Sequence, residues 1–110
     1  NIYVSSWNHG WNAKNYIDSI PDHLVKEIHI AGHSVKELTG DQTLLIDTHN
    51  NYVCDEVWGL YDYAIKNFGP VPTLLEWDAD IPSLNVLISE AGKCEPYLAS
   101  YKLEQERIYA

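Results

Sequence analysis

The sequence predicts an α/β fold of about four short parallel strands joined by crossover helices. Three observations predict it. Short apolar runs recur as "NIYVSSW", "HLVKEIHI", "TLLID" and "PTLLEW". Segments of helical period separate or follow most of them. The resulting order is β-α-β-loop-β-α-β-α, and such alternation favours parallel strands with right-handed crossovers. Four such units make half of an eight-stranded (β/α) barrel, or a small open sheet.

Each element has its local reason. "NIYVSSW" is rich in β-branched and aromatic residues, so it predicts the first strand, broken by "NHGWN". "NAKNYIDSIP" predicts a short helix stopped by Pro21. "HLVKEIHI" is the second strand; Gly32 ends it, and a polar loop runs through Gly40. "TLLID" is the third strand. In "CDEVWGLYDYAIKNFGP", Val57, Leu60, Tyr61, Ala64, Ile65 and Phe68 recur at the spacing of one helix face. Asp55 and Glu56 suit that helix's N-terminus, and Gly69 with Pro70 ends it. "PTLLEW" is the fourth strand. Asp80 is the predicted N-cap of a last helix, with Pro82 in its first turn and a kink or split at Pro96.

Bulk properties narrow the partners. The 110 residues suffice for one domain, 1–110. A net charge of −9 argues against nucleic acid or an anionic membrane surface as the main partner. No apolar run approaches the roughly 20 residues of a membrane span, and no signal peptide is visible. Cys54 and Cys94 fit no CxxC or zinc pattern and read as reduced thiols of a cytoplasmic protein. The chain holds no methionine, which suggests processing or a piece of a longer chain.

The chemistry gathers at strand ends. Side chains alternate across a strand. Glu27 and His29 therefore share one face, as do Leu45, Asp47 and His49, while Glu76 points away from Leu75 and Trp77. Asn8 falls in register with Ser6. Parallel-strand barrels collect their site residues at the C-terminal strand ends. Several ionisable groups in a water-poor interior cost several kcal/mol each unless paired, and a cation offsets that cost. Imidazole with carboxylate suits zinc, manganese or iron. The candidate ligands are Asn8, His29, Asp47, His49 and Glu76, with Glu27, His33, His9 and Asp78 as supporting or substrate-facing groups. A solvated loop histidine is the competing reading of His9 and His33, and His23 reads as a surface residue. Trp58 and Tyr61 read as core, and Trp77 as packed under a helix.

"VSSWNHG", "EIHIAGHS", "LLIDTHN", "DEVWGLY" and "GPVPTLLEWDADIP" resemble, in order and over nearly all of the chain, the second half of the multinuclear non-haem iron-dependent oxidative enzymes. The resemblance implies the C-terminal half of a (β/α)8 TIM barrel of the xylose isomerase-like kind, holding two or three iron ions. It implies oxidative modification of cysteine or other residues in ribosomally made peptides, with a partner protein presenting the peptide. It also implies that this chain lacks the first strands and their ligands. Exposed sheet edges then predict association between copies. Two rival readings stand beside it: a zinc or manganese hydrolase or isomerase on the same barrel, and a non-catalytic assembly module without metal.

Overall fold

The computed structural model describes residues 1–109. Nine of its elements carry the argument below. The predicted amphipathic helix forms as α3, Asp55–Phe68, and buries Trp58, Tyr61, Ala64 and Ile65 on one face. Gly69 ends it at φ 86°, and its N–H closes onto the Ile65 carbonyl at 2.8 Å. Strands β1 (Ile28–Ala31) and β4 (Thr73–Glu76) pair in parallel, with Ile28 opposite Thr73 and Ala31 opposite Glu76.

Alternation sorts the two faces of that pair. Ile28, Ile30 and Leu75 pack on α3 together with Val53 and Cys94. Burying each large aliphatic side chain stabilises the fold by roughly 1.5–3 kcal/mol. His29, Leu74 and Glu76 fall on the opposite face, where Leu74 stays 47% exposed. The core therefore fixes which way the ionisable side chains point.

Helix α4 (Leu84–Gly92) follows β4, and α5 (Glu95–Tyr109) packs Tyr97, Leu98 and Tyr101 onto the core. The split between them falls where Pro96 predicts it, with Pro96 in the first turn of α5, where a missing N–H costs nothing. Helix α4 begins after Ser83, not after Asp80. Asp80 instead takes a left-handed turn at φ 51°.

Two predicted strands are corrected. "NIYVSSW" is helix α1, Ile2–His9, followed after Asn12 by the expected short helix α2, Ala13–Asp18. Strand propensity is weak beside tertiary context. The signal against a strand was Gly10, which ends α1 at φ 72° with its N–H on the Ser6 carbonyl. The second correction concerns topology. Residues 32–40, read as a loop, contain strand β2 (Ser34–Glu37), which pairs antiparallel with β3 (Thr43–Ile46). A parallel return needs about a dozen residues, usually with a helix. This connection is too short, so the chain turns through Gly40 (φ 74°) and Asp41 (φ 59°) instead. The strands are therefore one parallel pair and one hairpin, not four parallel strands. Among the described residues no helix is long and apolar enough to cross a membrane.

The β1 turn is tight. A Cβ on Gly32 would stand 2.1 Å from the Asn51 carbonyl oxygen and 2.6 Å from that of Tyr52. Gly32→Ala should therefore push away the loop at 51–52 and cost about 1–3 kcal/mol; urea unfolding measures it. Burial pushes the Tyr61 phenol up to about 12, although its hydroxyl meets Thr73 Oγ1 at 2.8 Å. The unfolded chain loses this proton near pH 10, so between pH 10 and 12 it binds fewer protons than the fold. Stability should drop more steeply over that window than in Tyr61→Phe, as read by denaturant midpoints at several pH values.

Candidate metal centre

Four strand-end residues converge. His29 Nδ1 lies 2.5 Å from Glu76 Oε1, and its Nε2 lies 3.2 Å from Glu27 Oε1. His49 Nδ1 meets Glu76 Oε2 at 3.0 Å and Asp78 Oδ2 at 2.9 Å. His49 Nε2 meets Asp47 Oδ1 at 2.9 Å. Glu76 thus bridges two imidazoles, and His49 touches three carboxylates. One ligand atom each from His49, Glu76 and Asp78 lies within 4.8 Å of the other two.

The backbone explains the convergence. β1 carries His29 and β4 carries Glu76 on their shared outer face. The hairpin delivers Asp47 and His49 at the end of β3. His49 sits at φ 50°, a left-handed conformation that costs a residue with a Cβ about 1 kcal/mol or more. Its carbonyl accepts the Asp78 N–H at 2.7 Å, tying the loop after β3 to the loop after β4. Asn50 Oδ1 accepts from Ser34 Oγ at 3.0 Å and Thr48 Oγ1 at 2.5 Å, which fixes the next residue.

The electrostatics favour a cation. An imidazole nitrogen carries at most one proton, yet two carboxylate oxygens crowd His49 Nδ1. Burial lowers the His49 pKa, but Asp78, Asp47 and Glu76 outweigh it, so the imidazole sits above its ordinary value. Even with His29 and His49 both protonated and the Asn1 ammonium 3.9 Å from Asp47 Oδ1, four carboxylates (Glu27, Asp47, Glu76, Asp78) exceed three positive charges. Among the described residues no lysine or arginine pairs with any of these four. The nitrogen and oxygen donors, without thiolate, fit iron, manganese or zinc.

The other predicted residues sort differently. Asn8 lies away from this cluster's contacts: its Nδ2 donates to the Leu45 carbonyl at 2.8 Å and its Oδ1 accepts the Leu45 N–H at 3.0 Å. It caps the outer edge of β3, because α1 is a helix that lays this side chain along the strand. His33 is half-buried with its ring 5.5 Å from Tyr3, and burial pulls its pKa below the ordinary value. His9 is exposed in the last turn of α1, and His23 is exposed as expected. Trp77 stands edge-on to Tyr52 at 5.2 Å in the loops, not under a helix. Asn1 was missed: its Nδ2 donates to Asp47 Oδ2 at 2.9 Å. No sequence signal marked it, since only the fold brings the start of α1 to the hairpin's end.

The profile of a family described as "RiPP precursor modification enzyme MbnB/TglH/ChrH" matches residues 1–99. The chain belongs to this family. UPF0276 proteins are similar to it: one of Acaryochloris marina is 44% identical over 102 residues, covering 93% of this chain and 35% of that protein. One of Vibrio vulnificus (strain CMCP6) is 44% identical over 109 residues, covering 99% and 37%, and one of Rhizobium meliloti is 45% identical over 111 residues, covering 99% and 36%. The chain thus spans about a third of the curated relatives it matches. No solved structure matches it.

Membership in the MbnB/TglH/ChrH family implies metal use, and the His/Glu/Asp group has the donors for it. Asn8 tests the sorting. Asn8→Ala should lower stability by about 1–2 kcal/mol through two lost hydrogen bonds. Asn8→Asp should do at least as much harm, because a carboxylate faces the Leu45 carbonyl. A metal ligand would behave oppositely, with Asp as the better donor. Urea unfolding with parallel metal titration separates the two roles.

Proposed function

We propose that this chain forms part of the iron site of a peptide-modifying oxidative enzyme. One observation carries the reading: a single imidazole, His49, stands against three carboxylates that no lysine or arginine among the described residues neutralises. Asp47, His49, Glu76 and His29 hold metal, joined by Asp78, which replaces Asn8 in the predicted set. Glu27 orients His29 through its second ring nitrogen, the usual arrangement around ligating histidines. Two or three ions are expected in the longer protein, whose remaining strands supply further ligands. The β1–α3–β4 unit is then part of the second half of a (β/α)8 barrel, with its ligands at the strand C-termini.

Bound iron would supply one-electron redox chemistry and exchangeable positions for oxygen and a substrate donor. The residues' own part is to fix that charge. His49 and His29 present neutral nitrogen once their protons are displaced, and Glu76 spans both. The substrate is a ribosomal peptide, supported by the family's description, and a partner protein presents it. Cys54 and Cys94 are both free, which suits a cytoplasmic protein. The open edges of β1 and β4 favour association with the missing part or with a second copy.

A zinc or manganese hydrolase remains the rival because the same donors suit those ions. Anaerobic titration of the chain with ferrous, zinc and manganese ions tests both. Ferrous iron should bind stoichiometrically, and Asp47→Ala or His49→Ala should weaken it at least tenfold. Unchanged affinity in His49→Ala would sink the site assignment. Tight zinc with no iron uptake would favour the hydrolase.

A further inference from the structure

We infer that Glu90 on α4 is a positioning residue for the ligand loop, acting through Val53 without touching the metal; this rests on the metal reading above. Glu90 is a carboxylate with 1% exposure, the most deeply buried charged group of the core region. Its Oε2 accepts the Val53 N–H at 3.0 Å, and its Oε1 lies 2.6 Å from Lys93 Nζ. A buried carboxylate is costly unless paired in this way. Nothing in the ligand set accounts for its place.

What Glu90 holds is the far end of a segment without helix or strand pairing of its own. That segment runs from Asp47 to Val53 and carries His49. The loop after β4 grips its near end through the Asp78 N–H on the His49 carbonyl. Helix α4, the next element along the chain, grips its far end through Glu90. Gly32 and the Ser34–Asn50 bond seat the middle. His49 is held at φ 50°, against its intrinsic preference, so it needs both ends anchored. Without Glu90 the Val53 N–H is left buried with no acceptor, and the loop end keeps only the packing of the Val53 side chain in the core.

Amide exchange by NMR on the 110-residue chain tests this. Val53 reports the Glu90 bond, and Asp78 reports the His49 carbonyl. In Glu90→Ala both amides should exchange at least tenfold faster, with the β1–β4 amides unchanged. Glu90→Gln keeps an acceptor oxygen for Val53 and should leave Asp78 within threefold of the wild type. Glu90→Asp keeps the charge but falls short of Val53, so it should behave like alanine; the Asp and Gln pair decides the matter if the alanine variant does not fold. Ferrous-iron affinity should follow the same order, about tenfold weaker for Ala and Asp. Loss of protection at Val53 alone, or a Gln variant as labile as alanine, overturns the inference. A wild-type chain that binds no metal refutes the metal reading, and the exchange result then still decides whether Glu90 positions His49.

Discussion

The site is governed by a shortage of positive charge. Glu27, Asp47, Glu76 and Asp78 gather around His29 and His49, and the imidazoles cannot balance them. A folded chain places like charges together only where something else offsets their repulsion. Other local features are consistent with this demand. Glu76 is shared by two imidazoles instead of being turned to solvent, and His49 accepts a left-handed backbone to reach three carboxylates. Strain of this kind persists only where the surroundings over-determine it.

Those surroundings are hydrogen bonds and one close approach, joined at Val53 by packing into the core. The segment from Thr48 to Val53 crosses above Gly32 at a distance that excludes any Cβ. Asn50 ties it to β2, Asp78 ties it to the loop after β4, and Glu90 ties it to α4. The apolar work is done elsewhere, under β1 and β4, by Ile30, Ile65, Trp58 and Tyr61. That core turns His29 and Glu76 outward together. Core and site are thus coupled through strand alternation: moving one residue of register would bury His29 and expose Ile30.

Period and composition made part of this legible. The α3 stripe, its Gly69 stop, the Pro96 split and the strands at Ile28 and Thr73 all follow from local rules. The convergence of His29, Asp47, His49 and Glu76 was legible as well, because each stands at the end of an apolar run. Topology was less so. "TLLID" has the composition of a buried parallel strand, and only the length of the preceding connection argues for a hairpin. "NIYVSSW" misled because four β-formers outweighed the Gly10 signal, and a strand there would have set Asn8 among the other strand ends, where α1 instead lays it against β3. Asn1 and Glu90 act through contacts spanning 46 and 37 positions, which no local pattern encodes.

The hairpin also changes what the site can do. Were Asp47 and His49 on a central parallel strand, neighbouring strands on both sides would fix them. On β3 they hang from a two-stranded ribbon whose outer edge is capped by Asn8 and whose partner β2 has an exposed Val35. A two-stranded ribbon is marginal by itself. Asp47 and His49 therefore depend on the loop ties for their place, while His29 and Glu76 are set by the paired strands. A metal held by both groups would join the half set by loop ties to the half set by paired strands. Metal binding and loop order would then stabilise each other, because an ion that needs both groups in place favours the loop arrangement that presents them.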